Sequence, residues 1–490
     1  MDSLHKSSFR LAVVVLVGTL VASAGQAQPY LTEVTRWKNQ DAADAVPTDP
    51  ILFLGSSSIR RWEQVTRDFA DYNVIQRGLG GAQFDDINNY ISGPNSIVLK
   101  YNPKAIVVWA GTNDLAAGSD GNEVTADYST FVNAVLAAQP DVDIFYLGIM
   151  PTPGRQGNRP KEDVANANIA AIAAGNSKLH YIDLPTAFAP LNPYGGADFL
   201  NKFVDDIHLN RAGYDFWTSI IRPEIEAVVA PNKVYAANPN SPQPGERILF
   251  DFGPRDTTNG RATLGPDVNG NHWNNWYPMS GGLDILTGEH VGSLVTTGGR
   301  VTPVSLTLTA QFESNGRQNG GLLSPSSALL GDLAIATATE DYFFSTADGV
   351  QGGGNDDDGG GFMLSGLDRN LSYNFRFFGT RDSTETRITE YRLFGADEHV
   401  ATLQTSGNNI GTNGVYDGND DEVVVFENVR TDEFGQIFFD QTLLQGSFAY
   451  LGLMEITVNV PEPSALLLAA TCLAGWGFSG RRIRRSKSAL

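Results

Sequence analysis

The sequence predicts a doubly wound α/β domain over residues 30–230, followed by an all-β domain over residues 246–459. Three observations predict it. Five short apolar runs, at residues 51–54, 74–75, 105–109, 144–147 and 181–182, alternate with segments of helical length, the rhythm of a parallel sheet of buried strands. Residues 231–245 then gather Pro231, Pro239, Pro242 and Pro244 among Asn and Ser, the composition of an extended linker. Beyond the linker the apolar runs are short, β-rich and separated by Gly, Asn and Asp turns, as in an all-β domain. A chain of 490 residues is ordinarily two domains.

At the amino terminus, Lys6 and Arg10 precede apolar residues 11–21, and small residues close the segment at Ala24-Gly25-Gln26-Ala27. A charged start, a short apolar centre and a small-residue boundary predict a signal peptide over residues 1–27, cleaved after Ala27. An uncleaved anchor is the alternative, disfavoured because the run is short for a bilayer. Within the α/β domain, helices are expected at 125–138, 161–174 and 212–228. The first has an apolar face of Tyr128, Phe131, Val132 and Val135 and stops before Pro140. In the second domain, strands are expected at 247–252, 305–309, 372–379, 386–394, 422–426, 436–439 and 449–458. Their number and spacing predict a sandwich of jelly-roll type.

Composition excludes several functions. With 34 Lys and Arg against 55 Asp and Glu, the net charge is −21, which makes nucleic acid an unsuitable partner. The single cysteine, Cys472, lies in the C-terminal apolar segment. The body of the chain therefore has no disulfide framework and no thiolate metal site.

Four islands in the first half carry chemistry: Gly55-Ser56-Ser57-Ser58-Ile59, Gly78-Leu79-Gly80-Gly81, Gly111-Thr112-Asn113-Asp114 and Asp205-Asp206-Ile207-His208. They offer a hydroxyl nucleophile at a strand end, glycine amides, a side-chain amide and an acid–base pair, the parts needed to attack an ester and hold its oxyanion. Residue chemistry alone does not choose among Ser56, Ser57 and Ser58. Of the six histidines, His208 is the best general base, because Asp205 three residues earlier can orient its imidazole; Asp206 is the alternative acid. His180 opens a buried-looking strand and reads as structural, and Asp114 reads as a cap or brace of its loop.

In order and spacing the four islands resemble the sequence blocks of the SGNH hydrolases, the GDSL-like esterase superfamily, over about residues 48–225. The resemblance implies a flavodoxin-like hydrolase domain and assigns roles by position. Laying the family's Gly-Asp-Ser block over Gly55-Ser56-Ser57 makes Ser57 the nucleophile, and the Asp-x-x-His block makes Asp205 and His208 its partners. Gly81, with Gly80 as near neighbour, would offer a backbone N–H to the oxyanion, Asn113 its side-chain amide and Ser57 its own N–H. No cofactor and no metal is implied. Two positions depart from the family: Ser56 stands where Asp is usual, and Gln76 where the second block often has Asn.

The carboxyl end has its own pattern. Val460-Pro461-Glu462-Pro463 leads into apolar residues 465–478 and then Arg481, Arg482, Arg484 and Arg485, which fits a short transmembrane tail held with its arginines in the cytoplasm. Residues 460–490 resemble the PEP-CTERM sorting signal of Gram-negative bacteria. That implies export, transient residence in the inner membrane, processing by an exosortase-type enzyme, and a final place in the periplasm, on the cell surface or in the extracellular matrix. An ordinary tail anchor is the alternative, and it needs a longer span than this.

Two further motifs lie in the β domain. His272-Trp273-Asn274-Asn275-Trp276-Tyr277 offers an aromatic platform for sugar, though such aromatics more often fill a core. Residues 352–359, rich in Gly and Asp, offer oxygens for Ca²⁺ but match no EF-hand loop, so a solvated loop is the simpler reading. The whole chain reads as an exported serine esterase acting through an acyl-enzyme, with acetyl groups on polysaccharide as the expected substrate. A lipase or lysophospholipase-type acylhydrolase and a non-catalytic glycan-binding surface protein are the alternatives. Mass spectrometry of the mature protein from its native host should find the chain ending near residues 461–463, without the four arginines. Recovery of a tail intact to Leu490 from membranes would reject processing.

Overall fold

The computed structural model describes residues 28–43, 46–191, 195–278, 284–285, 287–346 and 359–460. The signal peptide expected at 1–27, the tail beyond Val460 and the acidic loop at 352–358 lie outside the described residues.

Five strands form one parallel sheet in the order β2-β1-β3-β4-β5: β1 (Ile51–Gly55), β2 (Val74–Gly78), β3 (Ala105–Trp109), β4 (Asp143–Leu147) and β5 (Leu179–Ile182). All ten residues of β1 and β3 are buried, so an unbroken apolar run, not alternation, marks them in the sequence. In register, Gly55 lies opposite Gly78 on one side and Trp109 on the other. Strands β2, β1 and β3 therefore end at one level, where the strand order reverses and an open α/β sheet leaves a crevice.

Seven helices matter to that crevice: α1 (Leu31–Ala43), α2 (Ser57–Arg60), α3 (Phe84–Asn88), α4 (Thr112–Ala117), α5 (Gly121–Ala138), α6 (Arg159–Ala174) and α7 (Arg211–Glu226). The helix expected from residue 125 starts at Gly121 because Asp120 caps it. The Asp120 carboxylate accepts the N–H groups of Asn122 and Glu123 at 2.8 and 3.0 Å, and Glu123 accepts the N–H of Asp120 in return. Such a cap stabilises a helix by about 1 kcal/mol. Helix α7 buries Tyr214, Trp217, Ile221 and Ile225 on one face, and the Trp217 ring meets Trp62 and Trp109 at 5.7 and 5.0 Å. Helix α1 has no counterpart in the sequence reading. It buries Val34 and Trp37 against the main core, and its helicity comes from that packing rather than from a long apolar stripe.

Among the described residues, the C-terminal region is built of largely antiparallel sheets. One has the order Val424–Arg430, Ser372–Phe378, Leu453–Val458, Arg247–Phe252 and Trp273–Trp276, the last pair being parallel. A second runs Glu398–Ser406, Arg387–Phe394, Ile437–Gln445, Gly360–Ser365, Ser305–Ala310 and His290–Val291. Residues of Arg387–Phe394 alternate strictly between buried and half-buried, the pattern of a strand with one face on a core. Rings of the two sheets meet in a common core: Phe377 stacks on Tyr391 at 5.6 Å, and Phe252 on Phe362 at 5.7 Å. Trp273 and Trp276 are 6% and 1% exposed. The aromatic platform is therefore core, because both indoles turn inward. The strand expected at 449–458 is two, Ala449–Leu451 and Leu453–Val458, in different sheets.

The two regions meet at a packed seam. Arg67 bonds Asp440 at 2.6 Å while its guanidinium lies 3.9 Å above the Phe394 ring. Residues 231–245 have neither helix nor strand, yet they are pinned along their length. The Lys233 N–H donates to the Asp71 carbonyl at 3.0 Å, its Nζ donates to Gln436 at 3.0 Å, and the Tyr235 hydroxyl donates to Asp368 at 3.1 Å. The linker reaches across without swinging freely.

One buried pair in the C-terminal region is electrostatically unusual. Asp251 and Asp341 are 3% and 1% exposed and hydrogen-bond each other, which requires that one keep its proton. Burial, then the neighbouring carboxylates, push both upward from the ordinary range. Adjacent Glu340 is instead held by the Arg261 guanidinium at 2.6 and 2.8 Å. A carboxyl raised in the folded state contributes stability at low pH that is lost as pH rises through its folded value. Asp251→Asn, whose amide supplies a permanent donor, should flatten the fall in Tm between about pH 4, the ordinary carboxyl range, and about pH 7, to which burial raises Asp251. Parallel curves for parent and variant would show that the pair does not titrate in this window.

Candidate active site

Gly55 ends β1, and Ser56, Ser57 and Ser58 follow it into α2. The three serines part company there. Ser56 precedes the helix with its hydroxyl buried and without a hydrogen-bond partner. Ser58 is buried, and its carbonyl accepts the Tyr214 hydroxyl at 2.8 Å. Ser57 is the first residue of the helix, and its Oγ lies 2.9 Å from Nε2 of His208. Helix α2 can lie this close because Gly78 has no side chain: a Cβ there would sit 2.2 Å from the Arg60 nitrogen. Gln76, the departure from the family pattern, supports the same helix. Its Nε2 donates to the carbonyls of Ile59 at 2.5 Å and Trp62 at 2.9 Å, groups a short helix leaves open.

His208 sits on the loop ahead of α7, and its Nδ1 is 2.7 Å from Oδ2 of Asp205. The other carboxylate oxygen of Asp205 accepts the backbone N–H groups of Ile207 and His208, both at 2.6 Å. Burial works against the Asp205 charge, but these bonds outweigh it and hold the carboxyl well below the usual range. An ionised Asp205 accepts the hydrogen bond of Nδ1–H, so Nε2 is the free acceptor and the Ser57 hydroxyl donates to it. Burial lowers the His208 value, and the Arg61 and Arg155 charges lower it further against the opposing pull of Asp205. Its imidazole is therefore neutral and basic at neutral pH. Asp206 faces elsewhere: its carbonyl accepts the Gly154 N–H at 2.6 Å, tying the loop to the segment after β4.

The glycine and asparagine islands close the other side. Gly81 turns with φ +80° just after β2, a conformation that favours glycine. Nδ2 of Asn113, in the first turn of α4, donates to the Ala82 carbonyl at 2.9 Å and so links the second and third islands. Asp114, expected to brace its own loop, accepts the Phe84 N–H at 2.9 Å and so braces α3, and burial pushes its carboxyl up to about 6. His180 bonds Asp143 at 2.9 Å and stacks on Phe145, a structural place.

Sequence reasoning missed Arg61, whose Nη1 donates to Asp205 at 3.3 Å across 144 residues of chain. No local signal marks it; its partner is fixed by how α2 and the loop before α7 meet. Among the described residues, no group of three or more His, Cys, Asp or Glu could hold a metal ion, and no helix is long and apolar enough to cross a membrane.

The chain is similar to proteins of known family. It is 28% identical over 178 residues to platelet-activating factor acetylhydrolase IB subunit alpha1 of Homo sapiens, covering 35% of this chain and 74% of that protein. The alpha2 subunit of Rattus norvegicus is 26% identical over 195 residues, covering 36% and 79%. Among solved structures, a GDSL-like lipase from Bacteroides thetaiotaomicron aligns with TM-score 0.33 and 20% identity, over 40% of this chain and 98% of that one. A carbohydrate esterase family 3 protein from Talaromyces cellulolyticus aligns with TM-score 0.28 and 19% identity, over 36% and 96%. Residues 48–216 match the GDSL-like lipase/acylhydrolase family, and residues 459–485 match the PEP-CTERM protein-sorting motif. The chain thus carries a GDSL-like (SGNH) acylhydrolase domain, of the serine hydrolase type, ahead of a PEP-CTERM motif for exosortase-mediated sorting to the cell surface.

Proposed function

We propose that this protein hydrolyses carboxylic esters through an acyl-enzyme on Ser57, with O-acetyl groups on polysaccharide as its substrate. The observation that carries the reading is His208, hydrogen-bonded at once to the Ser57 hydroxyl and to the Asp205 carboxylate. Ser57 Oγ attacks the ester carbonyl while Nε2 of His208 takes its proton. Asp205 keeps the tautomer and stabilises the imidazolium that forms. The oxyanion meets the N–H groups of Gly81 and Ser57 and the Nδ2 hydrogen of Asn113 that the Ala82 carbonyl leaves unused. His208 returns the proton to the departing alkoxide, and water, activated in the same way, releases the acid. No step calls for a cofactor.

Acetate as the acyl group is supported by the name of the acetylhydrolase relatives, and a polysaccharide by the route to the cell surface. In this reading the chain leaves a Gram-negative cell, rests in the inner membrane by its tail, and is released by an exosortase-type enzyme. Residues 246–459 form an accessory β-sandwich with their two larger sheets face to face.

The exported body should hydrolyse p-nitrophenyl acetate. Ser57→Ala should abolish turnover, and an active-site phosphonate should label Ser57; labelling at Ser56 or Ser58 would overturn the assignment. Asn113→Ala should cost about 3–4 kcal/mol of transition-state stabilisation, read in kcat. Because His208 is lowered and must be neutral to accept a proton, the acid limb of kcat/KM should fall below about pH 6.5. Arg61→Gln removes a charge that lowers His208, so the limb should move to higher pH. An unmoved limb would show that Arg61 acts on Asp205 orientation alone.

A further inference from the structure

A groove of about 690 Å³ lies beside the turn at residues 78–81, lined by Gln28, Tyr30, Glu33, Arg36 and Arg60 of the α/β domain and Gln311 of the C-terminal region. Three features join it to the Ser57 centre. Arg60 closes the one-turn helix that Ser57 opens, and residues three apart share a helix face. A Cβ on Gly80 would stand 2.6 Å from Nη1 of Arg60, and one on Gly81 would stand 3.9 Å from the Tyr30 hydroxyl. A substrate extending from Ser57 past Gly81 therefore runs into this groove.

Its chemistry is specific. The Nε atoms of Arg36 and Arg60 are buried without a hydrogen-bond partner. The groove's one acid, Glu33, stands 3.9 Å from Arg36, too far for a hydrogen bond. The lining holds two guanidiniums, Arg36 and Arg60, and one carboxylate, Glu33, while Glu289 acts on Arg36 and Asp85 and Asp86 act on Tyr30 from just outside it. The remaining lining is amide and hydroxyl, from Gln28, Thr32, Thr35 and Gln311, with Leu31 as the only aliphatic wall. Sugar hydroxyls find donors and acceptors there, and a carboxylate finds two guanidiniums.

We propose that this groove is a subsite for a hexuronate carboxylate, so that the substrate is an O-acetylated acidic polysaccharide. The proposal rests on the acyl-enzyme reading for its reaction and on the groove alone for its specificity. The parent should show higher kcat/KM on acetylated polygalacturonate than on acetylated xylan, and the preference should shrink with added salt. Arg36→Gln and Arg60→Gln should lower kcat/KM on the polyuronate at least tenfold more than on p-nitrophenyl acetate. Thr32→Glu, an acid on the exposed rim, should act in the same direction without disturbing the core, and it decides the matter if an arginine variant fails to fold. Equal rates on the two polysaccharides, untouched by these changes, would overturn the proposal. So would faster turnover of a phospholipid that the same variants weaken, since that would assign the arginines to a phosphate headgroup. The full chain with Ser57→Ala should still bind de-esterified polygalacturonate, and Arg60→Gln should abolish that binding. This keeps the subsite testable even if p-nitrophenyl acetate is not cleaved and the acyl-enzyme reading falls.

Discussion

The contact between α2 and Gly78 is the constraint on which the site depends. A methyl group at Gly78 would overlap the Arg60 backbone, so any other residue pushes the helix away from the end of β2. Helix α2 carries Ser57 towards His208, Arg60 towards the groove and, just beyond its end, Arg61 towards Asp205. Three interactions with different purposes thus hang on one backbone approach. Gln76 holds the far end of the helix by its carbonyls, which gives that departure from the family pattern a physical task.

Charge is arranged against the overall balance. The chain carries an excess of 21 negative charges, yet the crevice gathers Arg61 and Arg155 around Asp205 and His208. Near a buried histidine these charges favour the neutral imidazole, which can take a proton, while the tight hydrogen bonds to Asp205 keep its partner ionised. Opposite environments on two residues three apart separate the acid from the base. In the C-terminal region burial outweighs the hydrogen bonds from Thr263 to Asp251 and from Arg261 to Asp341, and the two carboxyls settle by sharing a proton.

The seam between the regions changes how the linker is understood. Its prolines and asparagines read as a tether, but Lys233 and Tyr235 fasten it to both sides, and Arg67 with Asp440 closes the interface. With Gln311 in the groove wall, the β region stands beside the reaction centre and is positioned to shape what reaches it.

By itself the sequence determined the parallel α/β sheet, because buried central strands are unbroken apolar runs, and the four islands, because three sit where a strand ends and the fourth precedes a helix. It separated His208 from the other five histidines through Asp205, since that pair is local. Residue chemistry left Ser56, Ser57 and Ser58 equivalent, because three adjacent hydroxyls differ only in the direction a short helix points them, and only the family's sequence block singled out Ser57. Helix α1, the split at Gly452, the inward turn of Trp273 and Trp276, and the bond from Arg61 to Asp205 were decided by tertiary structure alone. Each depends on contacts between residues far apart in the chain, and periodicity records only which side of an element is buried, not what buries it.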